Sequence, residues 1–224
     1  MKFDFKTIIG FVVIGVVAYL CRPLDDKIAD VFIEDKNDIV DMEVSNEEEI
    51  GVFNVSGNIE GHDYVDLGLS VKWATCNIGA TKPEEYGDYF AWGETEPKES
   101  YESETYLWTS NDAAQSKWGG PWRMPTREEC KELVRKCIWR WTAIKGVNGY
   151  KITASNGNWI FLPAAGIHNG TSSYNVPGSY GYYWSSTVRE SNSNYACYLF
   201  FHSSSKYTNS SDRSYGYTVR PVTE

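Results

Sequence analysis

The chain has 224 residues, a net charge of −9 and 15% aromatic side chains, enough apolar surface for one sizeable core. Residues 24–60 hold 12 acidic and 2 basic side chains, whereas residues 61–224 carry a net charge of only −1. The basic stripe that nucleic-acid binding requires is therefore missing. Composition and charge disfavour DNA, RNA and acidic ligands as partners.

The first element is an apolar run from Thr7 to Cys21, preceded by Lys2 and Lys6. As a helix it would extend about 22 Å, which is short of the ~30 Å hydrocarbon core of a bilayer. This length lies between a signal-peptide core and a short membrane anchor. We expect residues 1–21 to be a membrane anchor or signal segment, which places the rest of the protein in the cell envelope, outside the cytoplasm.

Three fates of this segment stay open. Cleavage after Ala18 would use Ala18 and Val16 as the small residues of the cleavage site and would give a secreted form. Acylation of Cys21 would give a lipoprotein, but Leu20 and Tyr19 are bulky for that signal. An uncleaved anchor is favoured because neither processing site is strong.

Residues 22–60 are predicted to form an acidic stalk or linker. Leu24, Ile28 and Val31 keep a helical spacing, and the acid-rich stretch that follows them is typical of a solvated spacer. We assign this segment the role of holding the domain away from the membrane, with no chemistry of its own.

The remaining residues, 61–224, are predicted to form one domain with many turns and few helices. Short strands are expected at residues 64–68, 69–74 and 88–92, each bounded by Gly or Pro turn signals. One helix is clear from its start, because Thr126 is followed by Glu129 in the spacing of a capping box.

A hairpin follows that helix. Residues 149–153 and 158–162 have strand composition and are separated by Asn156-Gly157. This dipeptide favours a type I′ turn, in which both central residues have positive φ.

The segment from 169 to 218 has the composition of a contact surface, with 13 Ser, 9 Tyr, 5 Asn and 4 Gly in 50 positions. Tyr gives a stiff amphipathic contact, and Ser, Asn and Gly give adaptable hydrogen bonding. A low-complexity linker is the alternative. Nine tyrosines argue against it because disordered segments are poor in aromatic residues.

Five strings along the chain resemble the Fibrobacter succinogenes major paralogous domain over about residues 61–223. They are DLGLSVKWATCNIGA (66–80), WRMPT (122–126), FLPAAG (161–166), YWSS (183–186) and VRPV (219–222). The resemblance implies an α+β fold of the C-type-lectin-like kind: twisted antiparallel sheets, one or two helices and long loops. It also implies a bacterial surface protein in which Trp73, Trp122, Trp184 and Arg220 are scaffold.

The resemblance divides the last fifty residues into framework positions and positions that vary among relatives, some of which are similar to the variable proteins of diversity-generating retroelements. The implied framework residues are Ala196, Leu199, Phe201, Arg213, Gly216, Val219 and Arg220. Strand alternation agrees, because Cys197, Leu199 and Phe201 would point inward while Tyr198, Phe200 and His202 form an exposed row. The predicted ligand-binding residues are Arg189, Asn192, Asn194, Tyr195, Tyr198, Phe200, His202, Ser205, Tyr207, Asn209, Asp212 and Tyr215.

No catalytic constellation is found. The sequence contains no HExxH, no GxSxG and no Gly-rich phosphate loop after a strand. It also lacks the EPN or QPD tripeptide and the WND of calcium-dependent lectins, and no paired-Cys motif of the formylglycine-generating enzymes is present. We therefore expect that the protein is not an enzyme and that it has no catalytic residue, no metal and no cofactor.

The five cysteines leave one unpaired in any disulfide scheme. Cys130 and Cys137 lie two helical turns apart, too far to bridge along one helix. The resemblance makes Cys76 and Cys137 the disulfide candidate. Buried free thiols are the equal alternative.

The sequence thus predicts a membrane-anchored extracytoplasmic binding domain that recognises a protein or glycan partner through its Ser/Tyr/Asn-rich C-terminal surface. A structural subunit of an envelope assembly is the alternative, and an enzyme of the formylglycine-generating type is a third.

Overall fold

The structure is a computed structural model that describes residues 54–101, 111–170, 172–174 and 177–224. The predicted N-terminal segment and most of the predicted stalk lie outside the described residues. No helix within the described ranges is long and apolar enough to cross a membrane.

Twelve strands and two helices make up the described part of the chain. In chain order they are β1 (Gly57–Ile59), β2 (His62–Val65), β3 (Lys72–Ala74), α1 (Ala113–Trp118), α2 (Arg127–Lys136), β4 (Ile138–Ile144), β5 (Val147–Thr153), β6 (Trp159–Pro163), β7 (Ile167–Asn169), β8 (Ser172–Tyr174), β9 (Tyr180–Val188), β10 (Tyr195–His202), β11 (Ser205–Asp212) and β12 (Val222–Thr223).

These strands form four small sheets in which the strand pairs are antiparallel. Their orders are β1-β2-β3-β12, β4-β5-β6, β11-β10-β9 and the hairpin β7-β8. The first of these sheets pairs β3, near the start of the domain, with β12 at its end. Its strand β1 lies inside the segment that the sequence assigns to the stalk. With its many strands and few helices, the fold is a sheet-rich α+β fold, as predicted.

Helix α2 begins as the sequence predicts. The Thr126 side chain accepts a hydrogen bond from the Glu129 amide, and the Glu129 carboxylate accepts one from the Thr126 amide, which together form a capping box. Cys130 and Leu133 form the buried side of this helix. The predicted helix start is confirmed.

Helix α1 was not located by the sequence. Its N-cap is Asp112, whose carboxylate accepts hydrogen bonds from the amides of Gln115 and Met124. Only Ala113 and Ala114 are buried in this six-residue helix. A helix this short shows too little apolar periodicity to be recognised before the fold is known.

The hairpin of β5 and β6 is confirmed, but its predicted type I′ turn is wrong. Gly157 has a φ of 85°, whereas Asn156 is not among the residues with positive φ. Asn156 instead donates from its side chain to the backbone carbonyl of Asp66, 3.0 Å away. A contact distant in sequence therefore contributes to the loop conformation.

Three strand predictions need correction. Of residues 64–68, only the first two belong to a strand, β2, and of residues 69–74 only the last three form a strand. Of residues 88–92 only Phe90 pairs, in a single bridge with Tyr217. Strand β4, an edge strand paired to β5, was not predicted. Single bridges and very short strands pair with residues distant in sequence, and their own few residues carry little strand pattern. Their bounds therefore cannot be predicted from the sequence alone.

The sheet β11-β10-β9 lies between two large core clusters, which contain different side chains of β10. Trp73, Trp122, Trp184 and Arg220 are each at most 1% exposed. The seven framework residues of the C-terminal region are also buried. Burial of these side chains agrees with the scaffold role that was expected for them.

Candidate binding surface

Side chains alternate between the two faces of the sheet β11-β10-β9. Leu199 and Phe201 belong to one core cluster, whereas Tyr198 and Phe200 belong to the other. The predicted alternation along β10 is therefore confirmed. The second face and the residues packed on it are referred to here as the aromatic face. It consists of Tyr180, Tyr182, Tyr198, Phe200, His202, Tyr207, Tyr215 and Tyr217.

The predicted exposure of Tyr198 and Phe200 is wrong. Each side chain is only 8% exposed, and the third member of the proposed row, His202, is half-buried. Strand β10 is the central strand, so side chains from both neighbouring strands cover its residues. Both faces of β10 are therefore buried, although the two faces contain different residues.

Aromatic rings lie side by side across the strands of the aromatic face. The Phe200 ring centroid is 5.0 Å from that of Tyr182 and 4.9 Å from that of Tyr207, close to the spacing of adjacent strands. Tyr180 stacks beside Phe200 at 6.1 Å, and His202 lies 5.7 Å from it. Stacked and edge-on pairs of this kind are favourable. The rings form one continuous layer.

Tyr217 joins this layer to the core. Its ring stacks on that of Trp184 with centroids 4.1 Å apart, and it lies 5.0 Å from Tyr182 and 5.1 Å from Tyr198. On its other side, Tyr215 stacks at 6.1 Å. The aromatic face therefore continues from the sheet onto the segment that follows β11.

Among the rings of the aromatic face, exposure is greatest on the edge strand β11. Tyr207, on the edge strand β11, is 44% exposed, whereas Tyr180, Tyr182 and Tyr215 are half-buried. Polar side chains border these rings on β11. Ser205 pairs across the strands with His202, and Asn209 pairs with Tyr198. The accessible part of the face thus consists of rings on the two outer strands and of Tyr215, with hydroxyl and amide groups beside them on β11.

The hydroxyl group of Tyr198 stays protonated at neutral pH. Burial, with a smaller contribution from the nearby phenol groups of Tyr182, Tyr207 and Tyr215, raises the pKa of Tyr198 to about 12. A protonated phenol both donates and accepts hydrogen bonds. Among the described residues, none forms a hydrogen bond with the hydroxyl of Tyr180, Tyr207 or Tyr215. These hydroxyl groups can therefore bind a ligand.

Seven of the predicted ligand-binding residues lie on the aromatic face or at its polar border. These are Tyr198, Phe200, His202, Ser205, Tyr207, Asn209 and Tyr215. The sequence missed Tyr180, Tyr182 and Tyr217. Alternation within β9 would have placed Tyr180 and Tyr182 together, but only the register with β10 sets them beside Phe200.

The other five predicted residues lie elsewhere. Arg189, Asn192 and Asn194 belong to the turn between β9 and β10, and Tyr195 pairs with Asp212. By alternation this pair lies on the opposite side of the sheet from Tyr198. The structure does not bring these five residues together with the aromatic face.

A cleft of about 440 Å³ lies beside this turn, between it and the start of α2. Its lining carries both signs of charge, including Arg127 and Arg189 as well as Glu128 and Glu190. The first amide of the helix, at Arg127, already donates to the Thr187 hydroxyl at 3.0 Å. One of the backbone amides at the start of α2 is therefore already hydrogen-bonded within the protein.

The three histidines take part in aromatic contacts. His62 stacks on Trp118 with centroids 3.7 Å apart, and His168 lies 4.1 Å from Tyr89. Burial lowers the pKa of both side chains. In the part of the chain that is described, no group of three or more His, Cys, Asp or Glu side chains is placed to hold a metal ion.

The predicted disulfide between Cys76 and Cys137 is wrong. Both are free thiols, as are Cys130 and Cys197, while Cys21 lies outside the described residues. Cys137 ends α2 as its C-cap, and Cys76 follows β3. The resemblance says nothing about the distance between the two thiols, which the fold decides.

A family model described as a domain of unknown function, DUF8237, matches residues 150–222. No curated protein and no solved structure matches the chain significantly. The matched stretch runs from within β5 to the start of β12 and contains every residue of the aromatic face. The chain is therefore similar to this family over the part that carries the candidate surface.

Proposed function

We propose that this protein is a binding module, without catalytic turnover, that recognises a protein or glycan partner through the aromatic face. In this proposal the domain has a C-type-lectin-like fold, as the paralogous-domain resemblance implies. Its N-terminal segment anchors it in the cell envelope, with the domain outside the cytoplasm. The observation that supports the binding role is the continuous layer of rings with an accessible, uncharged border.

The buried rings of the layer restrain the exposed rings before a partner binds. Phe200 contacts Tyr182 and Tyr207 on the two neighbouring strands and restrains both side chains. Ordering a flexible side chain on binding costs about 0.5–1.5 kcal/mol, and prior packing reduces that cost. Tyr207 can therefore offer its exposed area to a partner with little loss of side-chain entropy.

Tyrosine is also among the residue types enriched at the energetic centres of binding surfaces. A Tyr ring buries a large apolar area while its hydroxyl group forms a directional hydrogen bond. Tyr180, Tyr207 and Tyr215 combine a ring that is not fully buried with a hydroxyl that no described residue occupies. This combination suits contact with a partner better than it suits a structural role alone.

The test places a photo-crosslinking amino acid at position 207 of the full-length chain in its native envelope. The matched control carries the same amino acid at position 195, where the native tyrosine lies on the opposite side of the sheet. We expect discrete adducts from position 207 only. Equal adducts from both positions, or none from position 207, would contradict the proposed site.

A further inference from the structure

We infer that the ligand of the aromatic face is a neutral glycan, bound by stacking on the accessible rings of Tyr207 and Tyr182, which lie on either side of the covered Phe200. The inference rests on the proposed function, because it names the chemical class of the partner for that same surface. Three properties of the face carry it: its charge, its size and the placement of its hydroxyl groups.

On the side of the sheet that carries the aromatic face, the described positions of β9, β10 and β11 hold no Asp, Glu, Lys or Arg. Alternation puts Lys206 on the other side of β11, where its ammonium lies 6.0 Å from the ring of Trp139. Arg213, which follows β11, lies over the ring of Trp92 at 4.2 Å. An ionic group bound on the face would be desolvated without an opposite charge, which is costly. Charge therefore favours an uncharged ligand.

The face is small for a protein partner. Three strands at about 4.8 Å spacing give a width of roughly 10 Å, and the six steps from Ala196 to His202 give a length of about 20 Å. This outline of about 200 Å² includes the covered rings of β10, and even so it is well below the ~800 Å² that each partner buries in a standard protein interface. A ligand of a few sugar rings is the largest that this area accommodates.

Rings and hydroxyl groups are arranged as a sugar would require. A sugar ring has an apolar C–H face and a border of hydroxyl groups, so it stacks on an aromatic ring and forms hydrogen bonds at its edge. On this face the rings of Tyr207 and Tyr182 offer the accessible surfaces for stacking, and the covered Phe200 ring packs between them. The amide of Asn209 and the hydroxyl of Ser205 lie on the same strand as Tyr207 and can bond to the sugar edge.

The test uses the full-length chain in a detergent without a sugar headgroup, because a glycoside detergent would compete for the site. An array of neutral and uronic-acid-containing oligosaccharides is screened, and hits are confirmed by saturation-transfer NMR on the sugar C–H protons. We expect binding of neutral oligosaccharides. Tyr207→Ala should weaken it about tenfold or more, Tyr207→Phe should weaken it less, and Tyr195→Ala should leave it unchanged.

Each outcome decides the inference. Binding restricted to acidic oligosaccharides, binding that Tyr207→Ala does not change, or no binding across the array would overturn it. The proposed function fails separately, if photo-crosslinking at position 207 gives no adduct and Tyr207→Ala changes no binding. A protein adduct from position 207 together with a silent array would keep the proposed site and reject a glycan as its ligand.

Discussion

Arg220 Nε donates a hydrogen bond to the Asn77 side-chain oxygen over 2.8 Å, with both residues at most 1% exposed. The rest of the guanidinium donates to the backbone carbonyls of Ala74, Thr75 and Phe161. One buried side chain thus joins the residues after β3 to a strand of another sheet. The planar fork of Arg suits several fixed acceptors at once.

Replacing Arg220 should therefore destabilise the whole domain. Arg220→Ala leaves three buried carbonyl groups and the Asn77 side-chain oxygen without this donor, and we expect a loss of at least about 3 kcal/mol in the free energy of unfolding. Arg220→Lys should not restore it, because an ammonium lacks the fork geometry. Urea titration measures the effect. Arg135→Ala, at an exposed position of α2, is the control and should change stability by less than about 0.5 kcal/mol.

Tyr198 and Tyr207 should respond differently to truncation. Tyr198 is 8% exposed, so Tyr198→Ala should leave a cavity and cost about 3–5 kcal/mol, whereas Tyr207, at 44% exposed, should cost less than about 1 kcal/mol. Thermal unfolding of the two variants measures the difference. A stable Tyr198→Ala variant would contradict the burial found here. Binding tests should therefore use position 207.

The stability of the domain should fall in acid partly through Glu132. Burial alone would raise the pKa of this carboxylate, but hydrogen bonds from Lys136 and Ser70 outweigh it and lower the pKa to about 2. A carboxylate with a lowered pKa in the folded state stabilises the protein above its unfolded pKa, here near 4.5. This stability is lost as the pH falls from about 4.5 toward 2.

Glu132→Gln should reduce the loss in the free energy of unfolding between about pH 4.5 and 2. Urea titrations at several pH values measure this loss. Glu128→Gln is the matched control on the same helix, since the Glu128 side chain is 69% exposed and its ion pair with Lys131 is screened by water. If the free energy of unfolding of the Glu132→Gln variant still falls between about pH 4.5 and 2 as in the native protein, other groups cause that fall.

The four described cysteines should be found as thiols. Cys130 and Cys197 are each 1% exposed, and burial raises the pKa of both, so neither should react quickly with iodoacetamide in the native protein. Burial also raises the pKa of Cys137, to about 11. After denaturation without a reductant, peptide mass mapping should find all four alkylated. A linked pair of Cys76 and Cys137 peptides would contradict this result.

Local signals explain the parts of the fold that were predicted correctly. The capping box of Thr126 and Glu129 lies within one helical turn, and the hairpin of β5 and β6 closes across a short loop. Both depend on residues close in sequence. The turn type at Asn156 was wrong because its side chain bonds to the Asp66 carbonyl, which belongs to a distant segment.

The candidate surface was predicted only in part for the same reason. Composition indicated a contact surface, and alternation separated Tyr198 and Phe200 from Leu199 and Phe201. Tyr180 and Tyr182 could not be assigned to the surface because their place beside Phe200 depends on the register of β9 with β10, which includes a shift between Ala196 and Tyr198.

By itself the sequence determined the two alternating sets of side chains along β10, because alternation is a property of any extended strand. It also determined that the C-terminal segment is rich in Tyr and nearly free of clustered charge. Only the tertiary structure decided that Tyr198 and Phe200 are covered and that Tyr207 is accessible. Accessibility depends on which strand is central and on what packs against each face, and residues far apart in the chain set both.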